Sequence, residues 1–318
     1  MKIGDLLNVL CVVIVATSLG IYCVSAEPSD PNPIGEVVKH QGESYVTASS
    51  LQKFYRFESY TAKDGNLFYR SEDMVMKARN GSRDLLINNT KFVLSKPIVR
   101  GEGDYLISQF DLTHIVEPVL RPNLIKQAKP FRVVVIDAGH GGRDSGSGGG
   151  EFGDEKTHTL KLANLLKAEL ERRDFKVKMT RTGDQELGQA ERVAFGNKSP
   201  DSIFISLHFN SGGRKARGIE TYALLPKGGA KAEQNANNSA LACAVHASIQ
   251  HKMKVIDRGI RRAPWAVLTG IRQPAILVEA GYLSNPEEAK KIASPIYQKE
   301  LATSIADGIV NYRNALRR

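Results

Sequence analysis

The sequence predicts an α/β protein in which a mainly parallel, doubly wound sheet with helices on both faces follows a small α+β domain of short strands. Beyond residue 130, brief β-branched runs alternate with longer amphipathic stretches, as they do in strand–helix–strand units. Before residue 120, short strands separated by turn residues dominate. The intervening segment PVLRPNLIKQAKP (118–130) is bounded by prolines, which is typical of a connection. We therefore expect domains at 27–120 and 132–318, with a linker at 121–131.

The segment 1–26 has the pattern of a secretory signal peptide. Lys2 provides a positive start, the run Leu6–Tyr22 is mostly apolar, and the small residues Val24–Ala26 precede Glu27. An uncleaved membrane anchor is the alternative, but polar residues within the apolar run weaken it. We expect cleavage after residue 26, export to the periplasm or cell wall, and no stable membrane span in the mature chain.

Composition narrows the classes of partner. The chain of 318 residues carries a formal net charge of +10, which favours anionic partners such as nucleic acid, a membrane surface or an acidic wall polymer. Its basic residues are not interleaved with stacking aromatics, and export makes nucleic acid the least suitable of these partners, so we expect none. Cysteine use agrees with export, because Cys243 stands alone in the expected mature chain and can form no internal disulfide.

Turn signals organise the first domain. Asn80-Gly81 lies between Met74–Arg79 and Asp84–Asn88, and this dipeptide accepts the positive φ angles of a tight hairpin turn. A second reversal at Asn88-Asn89 leads into Lys91–Leu94. We therefore expect these three runs to be consecutive antiparallel strands.

The first domain also contains a weak internal sequence repeat. Gly42–Val46 and Gly103–Ile107 have similar sequences, and each precedes a short amphipathic stretch. The domain resembles the small N-terminal domain first described in copper amine oxidases, a resemblance that implies no chemistry. His40 and His114 are isolated in the sequence, so we expect no catalytic cluster here.

The second domain alternates strands and helices in the order of a doubly wound sheet. Its expected strands are Val133–Ile136, Phe175–Thr180, Ile203–Leu207, Gly218–Leu225, Gly259–Leu268 (as an edge strand) and Ala275–Glu279. Its expected helices are Glu155–Arg173, a turn near Ala190–Asn197, Ser239–Lys252, Pro286–Ala293 and Ile296–Leu316.

Three of these strands lead to residues that can serve a metal ion. VVVIDAGHGG contains His140, IFISLHFN contains His208, and AILVEAG contains Glu279. Open α/β sheets place ligands in the crevice beyond the carboxyl ends of their strands. We therefore expect the three side chains to converge at one rim, although they are far apart in sequence.

Glu155 adds a second carboxylate to this rim. It opens a helix, with Asp154 placed to cap it, and its position on the first turn directs its side chain toward the same strand ends. Two histidines and one glutamate leave an open fourth position around zinc, as catalytic zinc sites do. We therefore expect His140, Glu155 and His208 to bind Zn²⁺.

Glu279 is the expected catalytic acid/base. It interrupts an otherwise apolar strand, where an unpaired carboxylate would cost several kcal/mol. A general base at this position needs only to reach a water molecule whose pKa is lowered by zinc. It can then protonate a departing amine.

Other motifs are weaker. His158 follows Glu155 at a spacing that di-metal bundles use, but its neighbours supply packed leucines, so we expect it to support the ligands or the structure. Asn210 is expected to support the site or contact substrate. Gly148–Gly153 matches a dinucleotide fingerprint by letter, but a long loop separates it from the preceding strand. The absence of a Gly-x-Ser-x-Gly motif disfavours a serine hydrolase.

Residues 132–316 resemble the zinc-dependent N-acetylmuramoyl-L-alanine amidases of the type-3 class. The motifs that carry the resemblance are IDAGHGGRDSG, the Glu155-Lys156 pair, the segment with Arg192 and Asn197, ISLHFN, GIETY (218–222) and LVEAGYLSNPEEA (277–289). Because several independent motifs occur in the family's order, the resemblance is specific.

The resemblance implies that His140, Glu155 and His208 bind zinc and that Glu279 is the catalytic acid/base. It also places Arg192 among the residues that support the site or bind substrate. The implied enzyme is exported and acts on peptidoglycan, at the amide between the lactyl group of N-acetylmuramic acid and L-alanine of the stem peptide.

The chain departs from its relatives in two places. Thr157–Leu160 replaces an Asp-Leu-Asn-Leu-like run that usually follows the glutamate–lysine pair, which leaves the metal-side detail there open. The segment Pro226–Asn238 is too short for the self-blocking helix that an activator displaces in some relatives, and the sequence leaves the need for an activator open.

Two other functions remain open at this point. One is a zinc carboxypeptidase or endopeptidase that cuts elsewhere in the stem peptide, and only the product distinguishes it. The other is a wall-binding protein that has kept the fold without catalysis. For 27–120 we expect a role in binding wall polymer or in positioning the catalytic domain.

Overall fold

The computed structural model describes residues 34–125, 130–148, 150–224 and 232–317. The expected signal peptide and part of the expected linker therefore lie outside the described residues, as does the first part of Pro226–Asn238. Within the described ranges, no helix is both long enough and apolar enough to cross a membrane.

The described parts of the chain contain fifteen strands and nine α-helices, together with three short helical segments of other types. The strands are β1 (Val37–His40), β2 (Glu43–Thr47), β3 (Ser59–Lys63), β4 (Asn66–Arg70), β5 (Val75–Arg79), β6 (Asp84–Ile87), β7 (Thr90–Val93), β8 (Val99–Arg100), β9 (Tyr105–Ser108), β10 (Val133–Ala138), β11 (Lys176–Met179), β12 (Ser202–Asn210), β13 (Ile219–Leu224), β14 (Asp257–Ala263) and β15 (Ala275–Tyr282). The helices are α1 (Ala48–Phe54), α2 (Gln109–Asp111), α3 (Glu117–Leu120), α4 (Glu155–Glu171), α5 (Gln189–Asn197), α6 (Ala232–Met253), α7 (Ala266–Gly270), α8 (Pro286–Ala293) and α9 (Pro295–Ala315).

The turn predictions for the first region are confirmed. Strands β5, β6 and β7 are consecutive and antiparallel. Asn88 and Asn89, between β6 and β7, have φ angles of 47° and 64°, the left-handed conformation that asparagine tolerates better than most residues. The repeated segments become β2 and β9, which pair with each other in a small sheet of order β1-β2-β9-β8.

A mixed sheet of eleven strands dominates the molecule, with the order β11-β10-β12-β15-β13-β14-β7-β6-β5-β4-β3. The pairs β10/β11, β10/β12, β12/β15 and β13/β14 are parallel, whereas β13 runs antiparallel to β15. The fold is therefore of the mixed α/β class, with a large sheet and packed helices.

The prediction of an edge strand at Gly259–Leu268 is wrong. Strand β14 lies between β13 and β7. It pairs in parallel with both strands, and its pair with β7 is Ile260↔Phe92. It ends at Ala263 because Pro264 has no N–H to donate to a neighbouring strand, and the chain then forms α7. The same sheet thus runs from the region before residue 120 into the region after residue 132.

The two faces of this sheet are covered differently. One continuous core takes side chains from both regions, including Phe92, Ile205 and Ile260, and helices α4, α6 and α9 contribute to it. A smaller cluster on the other face brings together residues such as Phe204 and Leu277 with α7. Side chains alternate between the two faces along each strand.

Parallel pairing sets the position of the candidate site. Strands β10, β12 and β15 run in one direction, so their carboxyl ends lie side by side at the same end of the sheet. His208 is directly opposite Glu279 in the register of β12 and β15. Because β13 is antiparallel to β15, its beginning reaches the same end, and Glu220 is directly opposite Glu279.

Candidate metal centre

His140, Glu155 and His208 form a cluster in which one potential ligand atom from each residue lies within 4.8 Å of the others. The Oε1 atom of Glu155 is 3.1 Å from Nε2 of His140 and 2.9 Å from Nδ1 of His208. The two imidazole rings are nearly perpendicular, with centroids 4.9 Å apart. The structure thus brings together the three residues that the sequence singled out as ligands.

The loop after β10 presents His140. Its φ angle is +60°, a conformation that few residues other than glycine adopt, and it turns the backbone sharply at the strand end. Asp144 lies on the far side of the ring, with both carboxylate oxygens 2.9 Å from Nδ1. This contact orients the ring and leaves Nε2 facing Glu155.

Two glycines make room for the cluster. A Cβ atom on Gly139 would lie 2.3 Å from Cε1 of His208, and one on Gly146 would lie 2.6 Å from Oε2 of Glu155. Gly146 also has a φ angle of +67°. No larger residue fits at either position without displacing a candidate ligand, because real Cβ contacts are not this short.

Glu155 begins α4, as predicted, and is buried. Asp154 occupies the N-cap position, but its side chain makes no capping hydrogen bond. The backbone N–H groups of Ser147 and Phe209 donate to Oε2 and Oε1 of Glu155 at 2.8 and 3.0 Å. Burial alone would raise the pKa of Glu155, but the hydrogen bonds from His140 and His208 hold it well below its usual value. Glu155 is therefore a carboxylate at neutral pH.

Glu279 lies beside the cluster and has no such support. Its Oε2 atom is buried and has no hydrogen-bond partner among the described residues. Burial, aided by the negative charges of Glu155 and Glu220, raises the pKa of Glu279 to about 7, even though His208 favours the ionised form. Two carboxylates at one site thus have pKa values displaced in opposite directions, which is typical of acid–base chemistry.

This displacement predicts how the stability of the metal-free protein depends on pH. The pKa of Glu279 is about 7 in the fold against 4.5 ordinarily, so its favourable contribution is complete below pH 4.5 and is lost as the pH rises through 7. Glu279→Gln mimics the protonated form, and we expect it to stabilise the metal-free protein at pH 8 by up to about 3 kcal/mol. Urea unfolding at pH 8 and pH 5 measures the difference. An equal gain at both pH values would contradict the assignment.

The donor set fits a zinc ion. Two imidazoles and a carboxylate are the ligands of one class of catalytic zinc site, which keeps a further position open for water or substrate. Asp144, behind His140, provides the outer hydrogen bond that metal-binding histidines usually make. The unpartnered Oε2 atom of Glu279 is a buried acceptor for which a water at the open position would be a donor.

Arg192 lies behind the site. Its guanidinium is buried and donates to the carboxylate of Asp137 at 2.7 Å, to the carbonyl of Ala138 at 2.7 Å and to the carbonyl of His140 at 2.8 Å. Arg192 therefore fixes the end of β10 and the backbone of His140.

The structure places the two other candidates near the cluster but outside it. His158 is buried on α4, with Nε2 2.7 Å from the carbonyl of Phe152. Asn210 is the last residue of β12, and its amide donates to the carboxylate of Glu220 at 3.2 Å.

Sequence reasoning missed the network around Glu220. This buried carboxylate accepts hydrogen bonds from Arg258 Nε at 2.7 Å and from the hydroxyl of Tyr222 at 2.7 Å. Burial raises its pKa, but Arg258 and Tyr222 outweigh burial and lower it. A charged residue in the apolar run Ile219–Leu224 was the available signal, and it is the same signal that identified Glu279.

Comparison with known proteins gives consistent similarities. Residues 134–311 match the N-acetylmuramoyl-L-alanine amidase family. The chain is 33% identical to the uncharacterized protein YqiI of Bacillus subtilis, over 57% of this chain and 84% of that protein. It is also 33% identical to the probable cell wall amidase LytH of Staphylococcus saprophyticus, over 58% of this chain and 60% of that protein.

Solved structures extend these similarities. An N-acetylmuramoyl-L-alanine amidase from Clostridium difficile matches 58% of this chain and 98% of its own, with 33% identity and a TM-score of 0.54. The catalytic domain of CwlV, an amidase of the same name from Bacillus (Paenibacillus) polymyxa, matches 58% of this chain and 99% of its own, with 34% identity and a TM-score of 0.53. The residues that match the family, 134–311, include all three members of the cluster.

Proposed function

The chain belongs to the N-acetylmuramoyl-L-alanine amidase family and is a peptidoglycan amidase; from this premise we propose that His140, Glu155 and His208 hold a catalytic zinc ion and that Glu279 is the general acid/base. The single observation that carries the proposal is the arrangement of the two carboxylates. Glu155 is held ionised within the three-residue cluster, whereas the neighbouring Glu279 has a buried oxygen without a partner.

A zinc ion held by His140, Glu155 and His208 would supply Lewis acidity toward the scissile carbonyl and would lower the pKa of a nearby water molecule. Glu279 is placed to accept a proton from that water, because its buried Oε2 atom has no hydrogen-bond partner among the described residues. The same carboxyl group then donates the proton to the nitrogen of L-alanine as the C–N bond breaks. Without this protonation the amine is a poor leaving group, so one residue serves both halves of the reaction.

The surrounding residues keep these groups in place. Asp144 and Arg192 hold the ring and the backbone of His140, and the N–H groups of Ser147 and Phe209 hold the carboxylate of Glu155. Such preorganisation reduces the cost of reaching the reactive geometry. We assign Arg192, Asn210 and His158 to support of the site.

We further propose the arrangement of the whole chain. Residues 132–318 carry the chemistry in a mainly parallel, doubly wound unit, 27–120 form a small α+β unit, and 121–131 connect the two. A signal peptide at 1–26 directs the protein to the periplasm or the cell wall. The relatives named for the cell wall and the signal pattern in the sequence support this location.

The test is the chemistry of the product. We expect the purified protein to release from peptidoglycan an intact stem peptide whose free amino end is L-alanine, and we expect a chelator to stop the release until zinc is restored. Mass spectrometry of the digest measures both results. Peptides shortened at their carboxyl end would instead indicate a carboxypeptidase. Release of stem peptides that continues in the presence of a chelator would show that the reaction does not need zinc.

A further inference from the structure

One face of the large sheet continues from the candidate site into the region before residue 120. In β12 and β15, Leu207 and Val278 point into the main core, so their neighbours His208 and Glu279 point to the other face. In β13, Ile219 belongs to the main core, so Glu220 also points to the other face. His208, Glu279 and Glu220 therefore share one face of the sheet, which we call the catalytic face.

The same face continues from β14 to β7, because these two strands are parallel neighbours in the sheet. Ile260 and Phe92 are paired across these strands, and both belong to the main core. Lys91, next to Phe92, therefore lies on the catalytic face together with Gly259. A Cβ atom on Gly259 would lie 3.2 Å from Cε of Lys91, so this side chain passes directly over β14.

Beyond β7, the face consists of a row of register partners. Lys91 pairs with Leu86, Leu86 with Lys77, Lys77 with Phe68, and Phe68 with Thr61. The alternate residues, such as Met76 and Leu85, are buried in the main core. Helices α5 and α7 pack on the same face only near β10 to β15, and none of the residues in that smaller cluster comes from β3 to β7.

The exposed part of this face is strongly cationic. We define the cationic face by six residues of β3 to β7: Lys63, Phe68, Arg70, Lys77, Arg79 and Lys91. Phe68 is 43% exposed, an unusual fraction for a phenylalanine in the middle of a strand. Among the face residues of these strands, Asp84 is the acidic one, and it lies 3.9 Å from Lys91. The face is thus suited to an anionic partner with flat, partly apolar rings.

We propose that the cationic face is an extension of the substrate-binding surface that holds polymeric peptidoglycan while the scissile amide lies at the metal centre. This inference rests on the proposed function. Stem peptides carry free carboxylates that lysine and arginine can pair with, and the apolar sides of sugar rings can pack on Phe68. Five strand steps separate β13 from β4, a distance of about 24 Å over which one polymer can contact the metal centre and the cationic face together.

The test separates polymer from small substrate in the full chain. Arg70→Glu combined with Arg79→Glu reverses two exposed charges of the cationic face, and Phe68→Ala removes its aromatic ring. The matched control is Lys53→Glu combined with Lys167→Glu, which makes the same charge change on helices α1 and α4, on the other side of the sheet. Binding is measured by sedimentation with peptidoglycan that has been stripped of teichoic acid, in a chelator that prevents digestion. Hydrolysis of a soluble muropeptide is measured in parallel.

We expect the double charge reversal to weaken sedimentation at least tenfold, Phe68→Ala to weaken it severalfold, and the control to change it less than twofold. Hydrolysis of the soluble muropeptide should stay within twofold of the unaltered chain in all three. Equal binding by the charge reversal and its control would overturn the proposal. So would binding that disappears when teichoic acid is removed, because the occupant would then be that polymer. Failure to cleave the muropeptide would instead count against the proposed function, and the binding result would stand independently.

Discussion

Replacing Glu279 by glutamine is expected to lower the turnover of peptidoglycan about 10³-fold while zinc still binds at one ion per chain. The amide cannot accept the proton of the water or return it to the departing amine, and loss of a general acid/base typically costs 10²- to 10⁴-fold. The shape of the side chain is kept, so Glu155 and the two histidines remain in place. Release of stem peptides, with zinc measured by atomic absorption, gives both quantities.

The matched control is Glu287→Gln, an exposed glutamate on the first turn of α8. It removes the same charge close to β15 and should leave turnover within twofold of the unaltered chain. If Glu279→Gln released stem peptides at the unaltered rate, Glu279 would be neither base nor acid in this reaction. A variant that had lost both turnover and zinc would place Glu279 among the ligands instead.

Replacing His208 by alanine is expected to abolish zinc retention during dialysis and to reduce turnover to the background rate. His208 and His140 are the two proposed nitrogen ligands, and with one of them missing, two donors remain for a metal that is normally held by three protein ligands. Asp144→Asn should have a graded effect, since loss of the outer partner of a metal-bound histidine typically costs 10- to 100-fold in metal affinity. Competition with a chromogenic chelator measures both affinities.

His158→Ala is the matched histidine control. His158 is on the same helix as Glu155 and was the competing candidate for a ligand, but its ring contacts the carbonyl of Phe152. We expect this variant to retain zinc and most of its activity, with only a lower melting temperature from the loss of a buried side chain. Loss of zinc from His158→Ala together with retention by His208→Ala would reverse the ligand assignment.

The candidate site could be predicted well because its residues follow strands that are clear in the sequence. Short β-branched runs before His140, His208 and Glu279 define parallel strands, and parallel strands have a common carboxyl edge. Their convergence was therefore a matter of topology and needed no knowledge of side-chain contacts. The outer residues were harder. Asp144 lies in a glycine-rich loop, and nothing in that pattern indicates that the chain folds back to place it against His140.

The joint between β14 and β7 could not be predicted. It pairs Ile260 with Phe92, residues far apart in sequence, through a single register position. Hydrophobic patterning shows that each strand buries one face but carries no information about which strand is its neighbour. For the same reason the sequence indicated an edge at Gly259–Leu268, since a short, charged run resembles an outer strand whether or not another strand pairs with it.

The joint has a consequence for any shortened form of this protein. Removing everything before residue 130 would strip β7 from β14 and leave a row of backbone N–H and C=O groups without partners next to the apolar side chain of Ile260. Such a row is a template for pairing with other chains, so the fragment should self-associate as its concentration rises. In the intact protein the open border lies instead at β3, whose residues Ser59, Thr61 and Lys63 are polar and exposed and discourage that kind of addition.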